Sequence, residues 1–189
     1  LSAGATLIPP NRRLALTLKS SFDTDQVRQE KTTWPSADIL PLSAFVKRIY
    51  RDILYTGQTQ LPTLLTPAQE QILWESAIQN SEDGRTLLTI SQTAQWVREA
   101  WQLAHAWQLF PQLEQFPLNE DGTAFQAWYR HYQHVTQQAD QIDEARLSDL
   151  LVVLLEQPFN IPHPTHLICY GLDVLTPPQC TVPDKLAAV

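Results

Sequence analysis

Apolar and polar positions follow two periods along this chain, one of strands and one of helices. Ala5 to Ile8 is a short apolar run stopped by Pro9-Pro10. That suits a buried strand, because proline supplies no ladder donor and ends the pairing. Asn11 stands where a helix N-cap belongs, and Leu14, Ala15, Leu18 and Phe22 follow at helical spacing, so the pattern predicts strand, tight turn, helix. Ile39 and Leu40, between Trp34-Pro35 and Pro41, predict a second short strand. Ser43 can cap the next helix, whose apolar stripe is Phe45, Val46, Ile49, Tyr50 and Ile53. Thr66-Pro-Ala-Gln69 is a capping-box pattern with proline at the first helical position and predicts a helix to about Gln79. From about Ile90 a long helix carries Trp96, Ala100, Leu103 and Trp107 on one face, with Val97, Trp101 and Ala104 beside them, until Pro111 closes it. A turn at Asn119 to Gly122 precedes a helix marked by Phe125, Trp128, Tyr129, Tyr132 and Val135, and a last helix carries Leu147, Leu150, Leu151 and Leu154. After the proline-rich break from Pro158 to Pro164, His166-Leu-Ile-Cys-Tyr170 reads as a buried strand ending at Gly171.

A strand at each end with helices between predicts a helix-rich α/β fold whose sheet strands are separated by a helical excursion. The expected boundaries are residues 1–62 for the first part of the core, 63–158 for the helical insertion, 159–180 for the returning strand and turn, and 181–189 for a tail or linker. The chain starts at Leu1 and contains no methionine, so it is expected to be a domain cut from a longer protein.

Apolar residues make up 43% and charged residues 17%, with six tryptophans, which excludes a disordered chain. No apolar run approaches the ~20 residues that span a bilayer, and the first ten residues lack a signal-peptide pattern. Two cysteines cannot form a disulfide framework, so the expected setting is cytoplasmic, with no membrane partner. The net charge of −7 is unevenly spread: residues 1–60 hold eight Lys/Arg against five Asp/Glu, a balance of +3, leaving −10 on the remainder. The acidic total therefore does not exclude a nucleic acid partner.

The connection after the first strand is Pro9-Pro-Asn-Arg-Arg13, where a nucleotide-binding protein would place glycines and a lysine around the phosphates. No G-x-x-x-x-G-K-[ST] occurs, and the chain has five glycines against 14 prolines, so no ATP or Mg²⁺ is expected in this fragment. A helix N-terminus at Asn11 with Arg12 and Arg13 beside it remains; it either contacts a phosphate or is an ordinary solvated helix end. Lys47, Arg48 and Arg51 share one helical face, which is either a solvated surface or, with Arg12, Arg13 and Lys19, part of a basic edge. His131 with His134, and His163 with His166, lack the spacing of a metal site. Cys169 is expected to be a small core residue, and the tryptophans to be packing groups, with Trp34 alone as an exposed stacking candidate. Asp173 follows the last strand directly, where α/β nucleotide enzymes hold a metal-orienting acid or where a turn aspartate caps the next helix.

Four segments together carry a resemblance: Ile8-Pro-Pro-Asn-Arg-Arg-Leu-Ala15, Trp34-Pro-Ser-Ala-Asp-Ile-Leu-Pro-Leu-Ser-Ala-Phe45, Leu65-Thr-Pro-Ala-Gln-Glu-Gln-Ile-Leu-Trp74 and Gly171-Leu-Asp-Val-Leu-Thr-Pro-Pro-Gln179. They resemble the N-terminal part of bacterial DNA-repair proteins similar to the AddB-type subunits of double-strand-break helicase–nucleases. The resemblance implies a RecA-like parallel core, related to the first motor domain of UvrD-type helicases, with a helical subdomain inserted. Asn11, Arg12 and Arg13 would replace the phosphate loop, Ile39 to Phe45 with Ser43 would match a segment touching single-stranded DNA, and Asp173 would be a degenerate acidic motif followed by Val174. The parent would be a PD-(D/E)xK nuclease, whose triad is not in this chain. The function implied is non-catalytic DNA binding or scaffolding, with phosphate contacts from Asn11, Arg12, Arg13, Ser43, Lys47, Arg48 and Arg51. The partners would be DNA, the remaining domains of the parent chain and a helicase subunit. The alternative is a protein-interaction module, in which the acidic, Trp-rich helical segment docks against the parent chain or a partner subunit.

Overall fold

The structure is a computed structural model that describes residues 4–187 except Phe116 and Pro158, with Thr86, Gln179 and Ala187 described by their backbone only. Leu1, the start of the proline-rich break at Pro158 and the last two residues of the expected tail thus lie outside the described residues. The chain is a helix-rich α/β protein dividing into two compact units, residues 1–59 with 149–189 (unit 1) and residues 60–148 (unit 2).

In unit 1, β1 (Ala5–Ile8) is the middle of a three-stranded parallel sheet, with β2 (Asp38–Ile39) on one side and β5 (His166–Cys169) on the other. The pairing sets Leu7 beside Ile39 and Ile8 beside Cys169. Helix α1 (Arg12–Arg28) starts as its sequence predicts: Asn11 Oδ1 accepts the Leu14 N–H at 2.9 Å. Its inward positions Leu18 and Phe22 pack with Leu7 against a cluster of Ala15, Ala37 and Ile39. Helix α2 (Leu42–Thr56) buries the whole expected stripe of Phe45, Val46, Ile49, Tyr50 and Ile53, and ends at Gly57 with φ +63°, where a side chain would be strained. Ser43 does not cap it. The cap position is Pro41, with no side-chain hydrogen bond, and Ser43 is an exposed residue of the first turn.

Two further expectations in unit 1 are corrected. Strand β5 is an edge strand with an exposed surface: Ile168 and Tyr170 are 41% and 51% exposed, and Cys169 is exposed rather than a core residue. A parallel strand is usually covered on both faces, which is why an unbroken apolar run read as buried. The Cys169 thiol is pushed up by partial burial and then by the Asp184 charge, so it stays protonated at neutral pH. From residue 177 the chain is helical, α8 (Pro177–Ala187), where a tail was expected from 181. Val182 is fully buried, and Lys185 Nζ lies 3.1 Å from Glu156 Oε1. Three prolines masked the helix in the sequence: two occupy its first turn, where no donor is needed, and only Pro183 interrupts it.

Unit 2 is built on α3 (Pro67–Gln79), α4 (Ile90–Ala106), the short α5 (Phe110–Gln115) and α6 (Glu120–Gln138). The capping box forms in full, with the Gln69 N–H donating to Thr66 Oγ1 and the Thr66 N–H to Gln69 Oε1. Trp74 stacks on Tyr132 with ring centroids 3.9 Å apart, and Trp101 meets both edge-on. A parallel pair, β3 (Thr63–Leu64) with β4 (Gln141–Ile142), lies inside the segment read as purely helical; two-residue strands carry no detectable period. Helix α7 (Glu144–Leu154) follows β4 directly and buries Leu147 and Leu151 completely.

The buried face of α4 is not the one its tryptophan spacing suggested. Ala94, Val97, Trp101 and Ala104 are buried, whereas Trp96, Leu103 and Trp107 are exposed. Both stripes satisfy the helical period, and periodicity alone does not rank two apolar faces of one helix.

Candidate nucleic-acid interface

Ligands of parallel α/β sheets bind outside the carboxyl ends of the strands. At that edge of unit 1, β1 runs into Pro9-Pro10 and the capped start of α1, while β5 runs into Gly171 and the turn holding Asp173. The two connections touch. Gly171 has φ +69°, and a Cβ there would lie 3.5 Å from Leu14 Cδ2 and 3.9 Å from Pro10 Cδ. Arg12 and Arg13 are both exposed on the first turn of α1, and neither side chain carries an ion pair or hydrogen bond among the described residues. Asn11 Oδ1 accepts the capping N–H, so its side chain is held over the helix end. Asp173 is exposed two residues beyond Gly171.

The other predicted phosphate ligands are not gathered there. Arg48 Nη1 reaches Asp38 Oδ1 at 2.7 Å and Oδ2 at 2.9 Å, and Nη2 donates to Thr6 Oγ1 at 3.3 Å. The Thr6 hydroxyl in turn donates to Asp38. Burial alone would raise the Asp38 carboxyl, but the hydrogen bonds from Arg48 and Thr6, the Arg48 charge and a smaller effect of Lys19 hold it below its ordinary value. Arg48 is therefore a structural cation clasping the first residue of β2 to β1. Because α2 runs back from the carboxyl end of β2, Arg48 sits toward the amino end of the sheet, and Arg51 lies nearly a further turn along the same helix. The basic edge expected from Arg12 to Arg51 is thus split between opposite ends of the sheet. Trp34 is no free stacking group either: it is half-buried, and its indole N–H donates to Asp23 Oδ1 at 2.8 Å.

Charge bookkeeping changes with the fold. Unit 1 gains Lys185 but also Asp149, Glu156, Asp173 and Asp184, so its eight basic residues become nine against nine acidic ones, a net of zero. Unit 2 then carries all of the −7. The returning segment neutralises the front end, which no count along the sequence could reveal.

A groove of about 590 Å³ opens at the amino end of the sheet, with Thr6, Asp38, Arg48, Asp52 and His163 among its lining residues. Its central polar groups are already paired with one another. Substituting Arg48 by alanine would leave Asp38 partly desolvated, and because this pair is only partly buried, unit 1 should lose about 1 kcal/mol. Chemical denaturation reads that loss, and DNA affinity should not change.

Sequence reading missed the buried polar cluster of unit 2. Asp143 is fully buried; its Oδ1 accepts the Arg146 N–H at 3.1 Å and caps α7, while Oδ2 accepts from Arg146 Nε at 2.7 Å and from the Tyr132 hydroxyl at 3.1 Å. Arg146 also donates to Thr136 Oγ1 at 2.9 Å and lies over the Trp101 and Tyr132 rings. Burial, and then the charges of Asp143 and Glu70, push the Tyr132 phenol far up, so it remains a donor. Glu70 Oε1 and Arg98 Nε are buried without a hydrogen bond among the described residues. Burial with Asp143 close by pushes the Glu70 carboxyl up to about 7, against the opposing charge of Arg98. The Asp-Glu-Ala-Arg order from 143 to 146 was the available signal, an N-cap acid three residues before a cation. Among the described residues no three His, Cys, Asp or Glu side chains come together as a metal site, and no helix is long and apolar enough to cross a membrane.

No protein-family model matches the chain, and no curated protein sequence matches it.

Proposed function

We propose that unit 1 is a helicase-like domain, RecA-like in plan, that has no motor chemistry and contacts single-stranded DNA phosphates through Arg12 and Arg13. One observation carries this reading: two exposed arginines, without an ion pair or hydrogen bond among the described residues, stand on the first turn of a capped helix at the carboxyl edge of a parallel sheet, where a phosphate loop would otherwise be. A guanidinium pair with free donor forks can take phosphate oxygens in bidentate hydrogen bonds. The domain would serve as a DNA-scanning or scaffolding part of a repair nuclease of the AddB-like kind, whose cutting chemistry, other domains and helicase partner lie elsewhere. Because unit 1 is electrically neutral overall, the contact is local and the affinity modest.

Fluorescence anisotropy with single-stranded DNA tests it. Binding at ~50 mM salt should weaken as salt rises, and Arg12→Ala/Arg13→Ala should flatten the plot of log affinity against log salt by roughly 1.4, two phosphates at ~0.7 each. Arg48→Ala should leave that slope alone. Absence of binding at ~50 mM salt, or an unchanged slope in the double variant, sinks direct DNA contact.

A further inference from the structure

On α4 and its C-cap residue Trp107, the residues Trp96, Ala100, Leu103 and Trp107 recur at intervals of four, three and four, the spacing of a coiled-coil seam. The helix already uses Ala94, Val97, Trp101 and Ala104 to build the core of unit 2, so this seam is a second apolar face. It is open to solvent: Trp96, Leu103 and Trp107 are 61%, 57% and 44% exposed, and Leu109 prolongs the patch at 39%. Two exposed tryptophans and a leucine on one helix face are more than the scattered single apolar residues normal for a protein surface.

The order of the four residues says what fits them. About a two-fold axis between residues 101 and 102, an antiparallel second copy of α4 sets Trp96 opposite the partner's Trp107 and Ala100 opposite the partner's Leu103. In an antiparallel coiled coil each a position meets a d position, and this seam obeys that rule with a small residue facing a large one in the central layers. A parallel pair would set alanine against alanine, leaving a void, and leucine against leucine. The same axis places Glu99, the only acid on α4, level with the partner's Ala104 rather than with a second acid, and the flanking Gln95 and Gln102 are neutral. We propose that this face is a self-association surface, on which two copies of the chain pack their α4 helices antiparallel. It stands apart from phosphate contact by unit 1.

The strength follows from the area. The exposed parts of these side chains amount to roughly 400 Å² per copy, so the pair removes about 800 Å² from water, below the ~1,200 Å² of standard stable complexes. The dimer is therefore weak and transient. Two units of charge −7 repel, so salt strengthens the association, opposite to its effect on DNA binding.

Sedimentation velocity of the whole chain from ~5 to ~500 μM, in low and high salt, tests the proposal. The weight-average sedimentation coefficient should rise with concentration, more steeply in high salt. Leu103→Glu should weaken association at least tenfold with an unchanged far-UV circular dichroism spectrum, and Trp96→Gln serves if Leu103→Glu disturbs the fold. For orientation, a copy carrying Ala100→Cys is mixed with one carrying Leu103→Cys, both in a Cys169→Ser/Cys180→Ser background. Mild oxidation should cross-link the unlike pair in excess of either like pair. A flat sedimentation coefficient to ~500 μM, association untouched by Leu103→Glu and Trp96→Gln, or a predominance of like pairs each overturns it. Arg12→Ala/Arg13→Ala should leave self-association unchanged.

Discussion

Asp143→Ala should cost unit 2 about 3–5 kcal/mol. The carboxylate is fully buried and performs three tasks: it caps α7, pairs with Arg146 and accepts from the Tyr132 hydroxyl. Deleting it leaves the Arg146 guanidinium, only 12% exposed, with no counter-charge. The loss is mainly the penalty of stranding that cation, and only secondarily the ~1 kcal/mol of a missing cap. Asp143→Asn separates the contributions, because its single amide oxygen can keep the α7 cap while its NH2 group takes the place of the acceptor that Arg146 and Tyr132 use, and it brings no charge. It should fall between wild type and Asp143→Ala. Replacing both partners, Asp143→Leu with Arg146→Met, should recover much of the stability, since an apolar pair strands nothing. Thermal or urea unfolding of the three variants beside wild type makes the comparison. The unit 2 transition should drop by more than ~12 °C in Asp143→Ala. A drop of only a few degrees, or a double variant no better than the single, would show that the cluster does not depend on charge compensation.

What the sequence made legible was whatever local chemistry decides. Asn11 and the Thr66–Gln69 box fix two helix starts within three residues of themselves, and the α2 stripe has a single apolar face, so its buried side was unambiguous. Where two solutions satisfied the same local rule, tertiary structure decided. Helix α4 has two apolar faces, and its core face was the one with Val97 and Trp101. Ser43 and Pro41 both precede an apolar stripe, and the chain direction set by β2 gave the cap position to proline. The arginine pair and Asp173 lie in the connections that follow β1 and β5, Asp173 four residues past the end of β5, a placement that depends only on the strand boundaries. The fate of Arg48 was not readable, since its partners Asp38 and Thr6 are ten and 42 residues away and meet it only once the parallel pairing forms. Nor was the neutrality of unit 1, which depends on residues 149–189 folding back into it.

The buried acid Glu70 gives the second large effect, and it depends on pH. Its side chain lies in unit 2 near Asp143 and Glu144, which raise its proton affinity, and Arg98, which lowers it, and the residue is buried. A carboxyl held up at about 7 when folded, against 4.5 when unfolded, binds its proton more tightly in the folded state between those values. Stability from this group is therefore fully present below about pH 4.5, declines as pH rises and is lost above about 7. At full value that rise is roughly 3 kcal/mol. Partial hydration reduces the expected effect to about 1–2 kcal/mol. Glu70→Gln removes the ionisation and keeps the shape, so it should be more stable than wild type by that amount at pH 8 and nearly equal to it at pH 4. The difference between the two proteins isolates Glu70 from the other carboxylates titrating in the same range. Urea unfolding of both across pH 4–8 reads it directly, and a difference that stays constant across that range would refute an ionising Glu70. The two clusters are also linked: in Asp143→Asn the strongest negative neighbour of Glu70 is gone, its proton affinity falls, and Glu70→Gln should then gain less at pH 8 than it does in the wild-type background.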